Sequence, residues 1–353
     1  RIDLKIIGAF ALIQFPYTWK FLWAPLLDRY RMPFLGRRRG WMLLAAAGVL
    51  LAIGGLGERS PREDLGTVVW LSVLLAFLSA TLDIVLDAYR RELLPEQELG
   101  LGNAIHVNAY KVAGLVPGSL SLILAETRPW PEVFWITAAF MAPGIVMALL
   151  IAEPDADSHT PRTLRDAVIE PFHEFVARRG WGSALEILAF IFLYKLGDSL
   201  CTSLATPFYL EMGYSKLDIG LVAKHAGLWP SVAGGLLGGL WMLRLGINRA
   251  LWVFGVVQWA AILGFFLLAW LGPRTAVDAG DRALLALVIG TEALGVGLGT
   301  AAFVAFIARA THPAYTATQF ALFTSLAAVP RTFINSAAGW MVAQLGWPGF
   351  FVL

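Results

Sequence analysis

A chain of 353 residues that is 58% hydrophobic and only 15% Asp, Glu, Lys and Arg is too apolar for a water-soluble fold, in which about a quarter of residues are charged. Its mean hydropathy of +0.67 is that of a membrane protein. The net charge of +2 is small and the basic residues gather in separate loops, which argues against a nucleic-acid partner, and the lone Cys201 rules out an intrachain disulfide.

A bilayer-crossing helix needs about 20 mostly apolar residues. In chain order the candidate spans are 6–27, 41–57, 67–90, 101–125, 132–152, 183–210, 217–243, 249–272, 282–309 and 316–345, and an eleventh starts near Trp347. Pro117, Pro143, Pro207, Pro230 and Pro330 fall inside spans, where proline removes a backbone donor and bends the helix. The sequence begins at Arg1 and closes inside the apolar run Phe350–Leu353, so it reads as part of a longer membrane protein. The expected organisation is an N-terminal half over 1–152 without its first helix, a cytoplasmic linker over 153–182, and a C-terminal half over 183–353 with its last helix cut short.

Between the first two spans lies the most informative loop. Ala24-Pro25-Leu26-Leu27-Asp28-Arg29-Tyr30 is followed by Arg31, then Gly36-Arg37-Arg38-Arg39, then Trp41 where the apolar pattern resumes. Clustered arginines mark the cytoplasmic side, and Trp and Tyr mark the headgroup level. Alternate connections repeat the signal with Arg90 and Arg91, with Arg162, Arg165, Arg178 and Arg179, with Arg244 and Arg249, and with Arg309. In the linker, Thr163 to Arg179 reads as an amphipathic interfacial helix with Leu164, Val168, Phe172, Phe175 and Val176 on one face. The segment Gly239 to Leu251 echoes the first loop, as expected of two related halves. Here Leu243 stands where the acid would be.

The acid followed by arginines between two helices resembles the signature loop of the major facilitator superfamily. Within it the chain is similar to AmpG-type muropeptide permeases. The similarity rests on Ile2-Asp3-Leu4-Lys5, Phe21 to Tyr30, Phe34 to Trp41, Leu82-Asp83-Ile84-Val85-Leu86-Asp87-Ala88-Tyr89, Leu94-Pro95-Glu96, Leu193 to Asp198 and Ala317-Thr318-Gln319-Phe320-Ala321-Leu322. The resemblance implies an all-α polytopic fold of two pseudo-symmetric six-helix halves, with about ten complete spans present. It also implies proton-driven import of anhydro-muropeptides across a bacterial inner membrane, in peptidoglycan recycling. The departures are Ala24 in place of the first loop glycine, Leu243 where the acid of the second copy would stand, and Tyr110-Lys111 where Tyr-Arg is expected.

Ionisable residues at membrane depth are costly and mark function by default. Asp83 and Asp87 share a helical face at i, i+4. Asp87 is expected to pair with Arg29 or Arg90 at the cytoplasmic gate. Asp83 is deeper, without a local cation, and reads equally as a proton carrier or substrate contact and as a structural carboxylate. Tyr194, Lys195 and Asp198 fall within one turn, which suits an internal ion pair or a lysine held ready for an anion. Lys20, Lys111, Lys224 and Arg331 add cations, Glu292 adds an acid, and Tyr110 and Gln319 add hydrogen-bonding groups. This lining suits an anionic sugar-peptide carried with protons. The gating set is Asp28, Arg29, Arg37, Arg38, Asp87 and Arg90. No metal spacing, phosphate loop or nucleophile elbow is present in the sequence, so neither a cofactor nor a metal is expected, and a monomer embedded in the bilayer is expected. Two other functions stay open: a related carrier of an anion such as acetyl-CoA, and a membrane sensor or enzyme acting on wall fragments.

Overall fold

The computed structural model describes residues 15–33, 35–60, 64–154, 163–333 and 335–352. Residues 6–14 of the expected first span, 6–27, lie outside them, as do the side chains of Lys224 and Arg331. Among the described residues the regular structure is helical, with one isolated bridge between Met32 and Gly36. In chain order the helices are α1 (Phe15–Trp19), α2 (Ala24–Arg29), α3 (Arg38–Gly57), α4 (Leu65–Leu93), α5 (Leu99–Ala113), α6 (Ser121–Leu124), α7 (Trp130–Ala139), α8 (Ala142–Leu150), α9 (Leu164–Tyr194), α10 (Leu196–Ser203), α11 (Ala205–Glu211), α12 (Lys224–Leu271), α13 (Ala279–Ala310), α14 (Thr316–Phe333) and α15 (Asn335–Val352).

Seven helical runs among the described residues are long and apolar enough to cross a bilayer. In hydrocarbon a helix satisfies every backbone group within its own segment, which is why apolar runs of this length fold as helices. Several breaks fall where the sequence offers proline or glycine. Pro117 sits in a π-helical turn over Val116–Leu120, and Pro143 opens α8 behind α7. The expected spans 217–243 and 249–272 meet with almost no loop: α12 runs through both and turns at Gly246, with φ 70° and ψ 162°. That backbone region is close to glycine-only. Gly180, at φ 75°, likewise separates the linker part of α9 from its apolar part.

The chain forms two compact units. The first comprises Arg1–Leu93, Val112–Glu186 and Thr311–Leu326, and the second Leu94–Lys111, Ile187–Ala310 and Ala327–Leu353. In the first, Ala24, Leu27, Met42, Ile84, Val85, Ala88, Ala148, Ala317 and Ala321 make a core of small and branched side chains. In the second, Ala104, Met242, Phe254, Leu298, Ala301 and Ala305 bring α5, α12 and α13 close together. Glycine permits that approach: a Cβ on Gly234 would lie 2.2 Å from the Leu294 carbonyl oxygen.

Candidate functional site

The first unit concentrates buried charge at its arginine-rich end. Asp28 closes α2 and is fully buried, and Arg38 opens α3 with 1% exposure. Arg38 Nη2 donates to Asp28 Oδ1 at 2.8 Å and to Glu92 Oε1 at 2.5 Å, its Nε reaches both Glu92 oxygens at 3.1 Å, and its Nη1 donates to the Leu27 carbonyl. Arg37 adds a bond to Glu92 at 3.1 Å and one to the Asp28 carbonyl.

Asp28 also reaches far along the sequence. It accepts from the backbone N–H groups of Ala317 and Thr318 at 3.2 and 2.9 Å, and from the Thr318 hydroxyl at 2.8 Å. These are first-turn donors of α14, which have no partner inside their own helix, and a carboxylate there also meets the positive end of the helix dipole. Thr316 completes the network through Arg38 at 2.6 Å and Glu92 at 2.5 Å. Glu153 does the same for α3, accepting from the N–H groups of Arg37, Arg38 and Arg39 at 2.6, 2.7 and 2.9 Å. Gly36 makes room for it: its φ is +84°, and a Cβ there would stand 2.6 Å from the Glu153 side chain. This is a latch in which two carboxylates cap two helices across chain distance.

The linker part of α9 holds α14 from another side. Gln319 accepts from the His312 N–H at 2.7 Å and donates to the Pro171 carbonyl and to Glu174, both at 2.8 Å. Tyr315 donates to Glu170 at 2.5 Å, and Phe175 meets Phe323 at 5.1 Å between ring centroids. Burial and the neighbouring Glu170 push the Tyr315 phenol up from its ordinary pKa, so it remains a donor. The apolar side chains expected on one face therefore divide: Phe175 is buried, while Leu164, Val168 and Phe172 are exposed. Gln319, expected among the substrate contacts, has both ends of its amide engaged in this clamp.

Deeper in the first unit, Lys20 is 4% exposed and donates to Asp83 at 2.5 Å. The expectation that Asp83 has no local cation is thereby corrected: α4 turns it toward the helical segment after α1, where Lys20 stands. Of the two expected partners of Asp87 the structure gives Arg90, at 2.5 Å. Arg29 stands over the Tyr30 ring at 5.8 Å.

The second unit carries the other polar cluster. The helix run from Gly180 is interrupted at Lys195, between α9 and α10, roughly 22 Å along at 1.5 Å per residue. That is about mid-membrane. Irregular backbone at this depth is tolerated where protein or a water-filled cavity surrounds it. Lys195 donates to Asp198 at 3.0 Å and to Thr300 at 2.7 Å. Lys111, in the field of both charges, donates to Ser231 at 2.5 Å. Glu292, 7% exposed, feels Asp198 and Lys195, and among the described residues it accepts no hydrogen bond. Tyr194 stacks on Phe303 at 5.2 Å with rings 4° from parallel, and its buried hydroxyl has no hydrogen-bond partner among the described residues. Tyr110 is 59% exposed.

The Major Facilitator Superfamily model matches residues 6–334. The chain belongs to that superfamily. It is 40% identical over its whole length to the anhydromuropeptide permease of Escherichia coli K12, of which the match covers 70%. An uncharacterized protein of Haemophilus influenzae is 50% identical over 99% of this chain and 83% of its own length. Among solved structures, the Escherichia coli fucose:proton symporter aligns over 98% of this chain and 90% of its own with a TM-score of 0.66 at 12% identity. A proton:xylose symporter aligns over 97% and 81%, also at 0.66, with 11% identity. At such identities these two show the fold alone. The protein is thus an all-α, multi-pass membrane transporter of the superfamily and not an enzyme.

Of the residues expected from the sequence, Asp28, Arg37, Arg38, Lys195 and Asp198 fall in these two networks, joined there by Glu92, Glu153, Thr316, Ser231 and Thr300, which the sequence did not single out. Glu153 stands at the end of the fifth expected span, two residues after Ile151, where the first acid after an apolar run, beside a proline, invites a capping role. Ser231 and Thr300 carry no signal, since hydroxyls in apolar helices usually bond their own backbone.

Proposed function

We propose that the protein imports anhydro-muropeptides, N-acetylglucosaminyl-anhydro-N-acetylmuramic acid and its peptides, from periplasm to cytoplasm by proton symport. It would work by alternating access in a bacterial inner membrane and serve peptidoglycan recycling. The moving bodies in this proposal are 1–152 and 183–353, joined by 153–182. The observation that carries the substrate class is Lys111. It is a cation at membrane depth with a neutral partner, Ser231, beside the Lys195–Asp198 pair at a helix interruption. A carboxylate of the cargo supplies the counter-charge that Ser231 cannot. The 40% identity to a protein named anhydromuropeptide permease supports the same cargo.

Proton coupling rests on the acids of the same cluster. Bringing an anion to Lys111 and Lys195 adds negative charge near Asp198 and Glu292 and so favours a proton there. By linkage the proton favours the anion to the same degree. The test is uptake of labelled N-acetylglucosaminyl-anhydro-N-acetylmuramyl tripeptide by cells lacking their own permease, with and without a proton uncoupler. Uncoupler-sensitive uptake that falls at least tenfold in Lys111→Gln and Lys195→Gln, at equal membrane abundance, is the expected result. Unchanged uptake in both variants sinks the site, and uptake of acetyl-CoA in its place sinks the cargo.

A further inference from the structure

Apart from the latch and the polar cluster, the second unit contains two cavities that meet at one hydrogen bond. The first is an apolar slot of about 480 Å3, walled by Phe190, Leu251, Trp252, Val256, Trp259 and Phe306 and ending at Asn248. Gly255 keeps it open: a Cβ there would meet only the Tyr194 ring, at 3.8 Å. Trp252 and Trp259, seven residues apart on one side of α12, are 80% and 63% exposed. The second cavity, about 290 Å3, lies beside the turn at Gly246 and is lined by Glu96, Gln97, Met242, Leu243, Ile247 and Arg309. The Arg309 guanidinium donates to Asn248 Oδ1, which joins the polar pocket to the end of the slot.

Depth and charge agree on what would fit. From Asn248 to Trp259 the slot runs roughly 16 Å along α12, at 1.5 Å per residue, into the hydrocarbon layer. The polar pocket sits at the arginine-rich end, cytoplasmic by the charge rule. Arg244 and Arg249 flank the turn along the chain and are exposed, and Arg309 lines the pocket together with Glu96. A soluble anion would use the pocket and leave the slot empty, and a free hydrocarbon would do the reverse. One molecule that fills both is amphiphilic and negatively charged.

We propose that the slot and pocket form a binding site for one anionic glycerophospholipid of the cytoplasmic leaflet, with an acyl chain in the slot and the phosphate against Arg309. One wall of the slot is Tyr194, the residue before Lys195. Lipid occupancy therefore bears on the helix interruption that carries the polar cluster. The site stands independently of which cargo is carried.

Native mass spectrometry of the purified chain, titrated with phosphatidylglycerol or phosphatidylcholine of the same acyl chains, tests it. One phosphatidylglycerol per chain is expected to be retained in preference to phosphatidylcholine. Arg309→Ala should reduce that preference about fivefold, the worth of one basic residue at an anionic surface, and Arg309→Lys should restore most of it. Gly255→Leu, which fills the slot, should weaken both lipids. If Arg309→Ala fails to fold, the Arg309→Lys and Gly255→Leu arms decide. Equal retention of the two lipids by the wild type overturns the proposal. So does competition by millimolar glycerol phosphate, or a second protein chain released by Trp252→Ala in place of lipid.

Discussion

The chain builds helix, short basic connection, helix once in each unit, and the two copies end differently. At the first, Asp28 and Glu92 draw Arg38 to 1% exposure and Asp28 crosses to the start of α14. At the second, Leu243 occupies the acid's place and is 51% exposed. Arg244 and Arg249 are exposed, and among the described residues neither forms an ion pair. A guanidinium has five donors, and removing it from water is tolerated when carboxylates satisfy them. The acid, together with Glu92 and the open start of α14, therefore draws the arginines inward. With it they become a latch, and without it they stay at the surface, available to headgroups.

The harshest way to break this comparison is Arg38→Ala. It leaves Asp28 and Glu92 as two buried carboxylates without their shared cation, and removing one partner of a buried pair costs about 3–5 kcal/mol. Thermal unfolding in detergent should fall by many degrees and uptake should vanish. A loss below about 1 kcal/mol, the ceiling for exposed pairs, means the network is a surface one. Asp28→Asn is milder. The amide oxygen can still accept from Thr318 N–H, but the charge opposite Arg38 and the helix dipole is gone. Loss of about 2 kcal/mol is expected, with uptake reduced more than stability.

The two turn glycines separate next. Gly36 and Gly246 both have positive φ, and a left-handed or extended-positive backbone costs about 1–3 kcal/mol for other residues. Only Gly36 also meets a side chain, Glu153, whereas a Cβ on Gly246 meets nothing within 4 Å. Gly36→Ala should therefore destabilise more than Gly246→Ala, by a further 1–3 kcal/mol or so for the overlap. Equal unfolding midpoints for the two variants would falsify the tight fit of Glu153 behind the loop.

How much of this was legible in the chain depends on distance along it. Hydropathy located α3, α4 and α13 to within a few residues, because a lipid-spanning helix must be continuously apolar. The loop acid and arginines stood out as a candidate gating set, since local spacing carries them. Its far end was not. Thr316 to Thr318 lie 288 to 290 positions beyond Asp28, and no local pattern encodes which helix start a carboxylate will cap. The partners of Gln319 were hidden for a related reason. An amide near a span end looks the same whether it will hold a sugar hydroxyl or, as here, the carbonyl of Pro171. Asp83 showed no cation because Lys20 is brought to it by packing alone.

The smallest expected effect is the most discriminating. Leu243→Asp restores the acid that the second copy lacks. If the acid alone made the latch, this variant would gain stability. At the first loop, though, Asp28 works because Arg38, Glu92 and the open start of α14 converge on it. Leu243 is exposed and faces the pocket that holds Arg309, so a carboxylate there stays solvated. The expected change in unfolding free energy is within about 0.5 kcal/mol, as for ordinary surface substitutions. The same carboxylate adds negative charge beside the arginines, so retention of phosphatidylglycerol should drop while phosphatidylcholine is unaffected. A gain in stability with lipid retention unchanged would mean that the second turn is a latch waiting for its acid, and that its arginines are not committed to a headgroup.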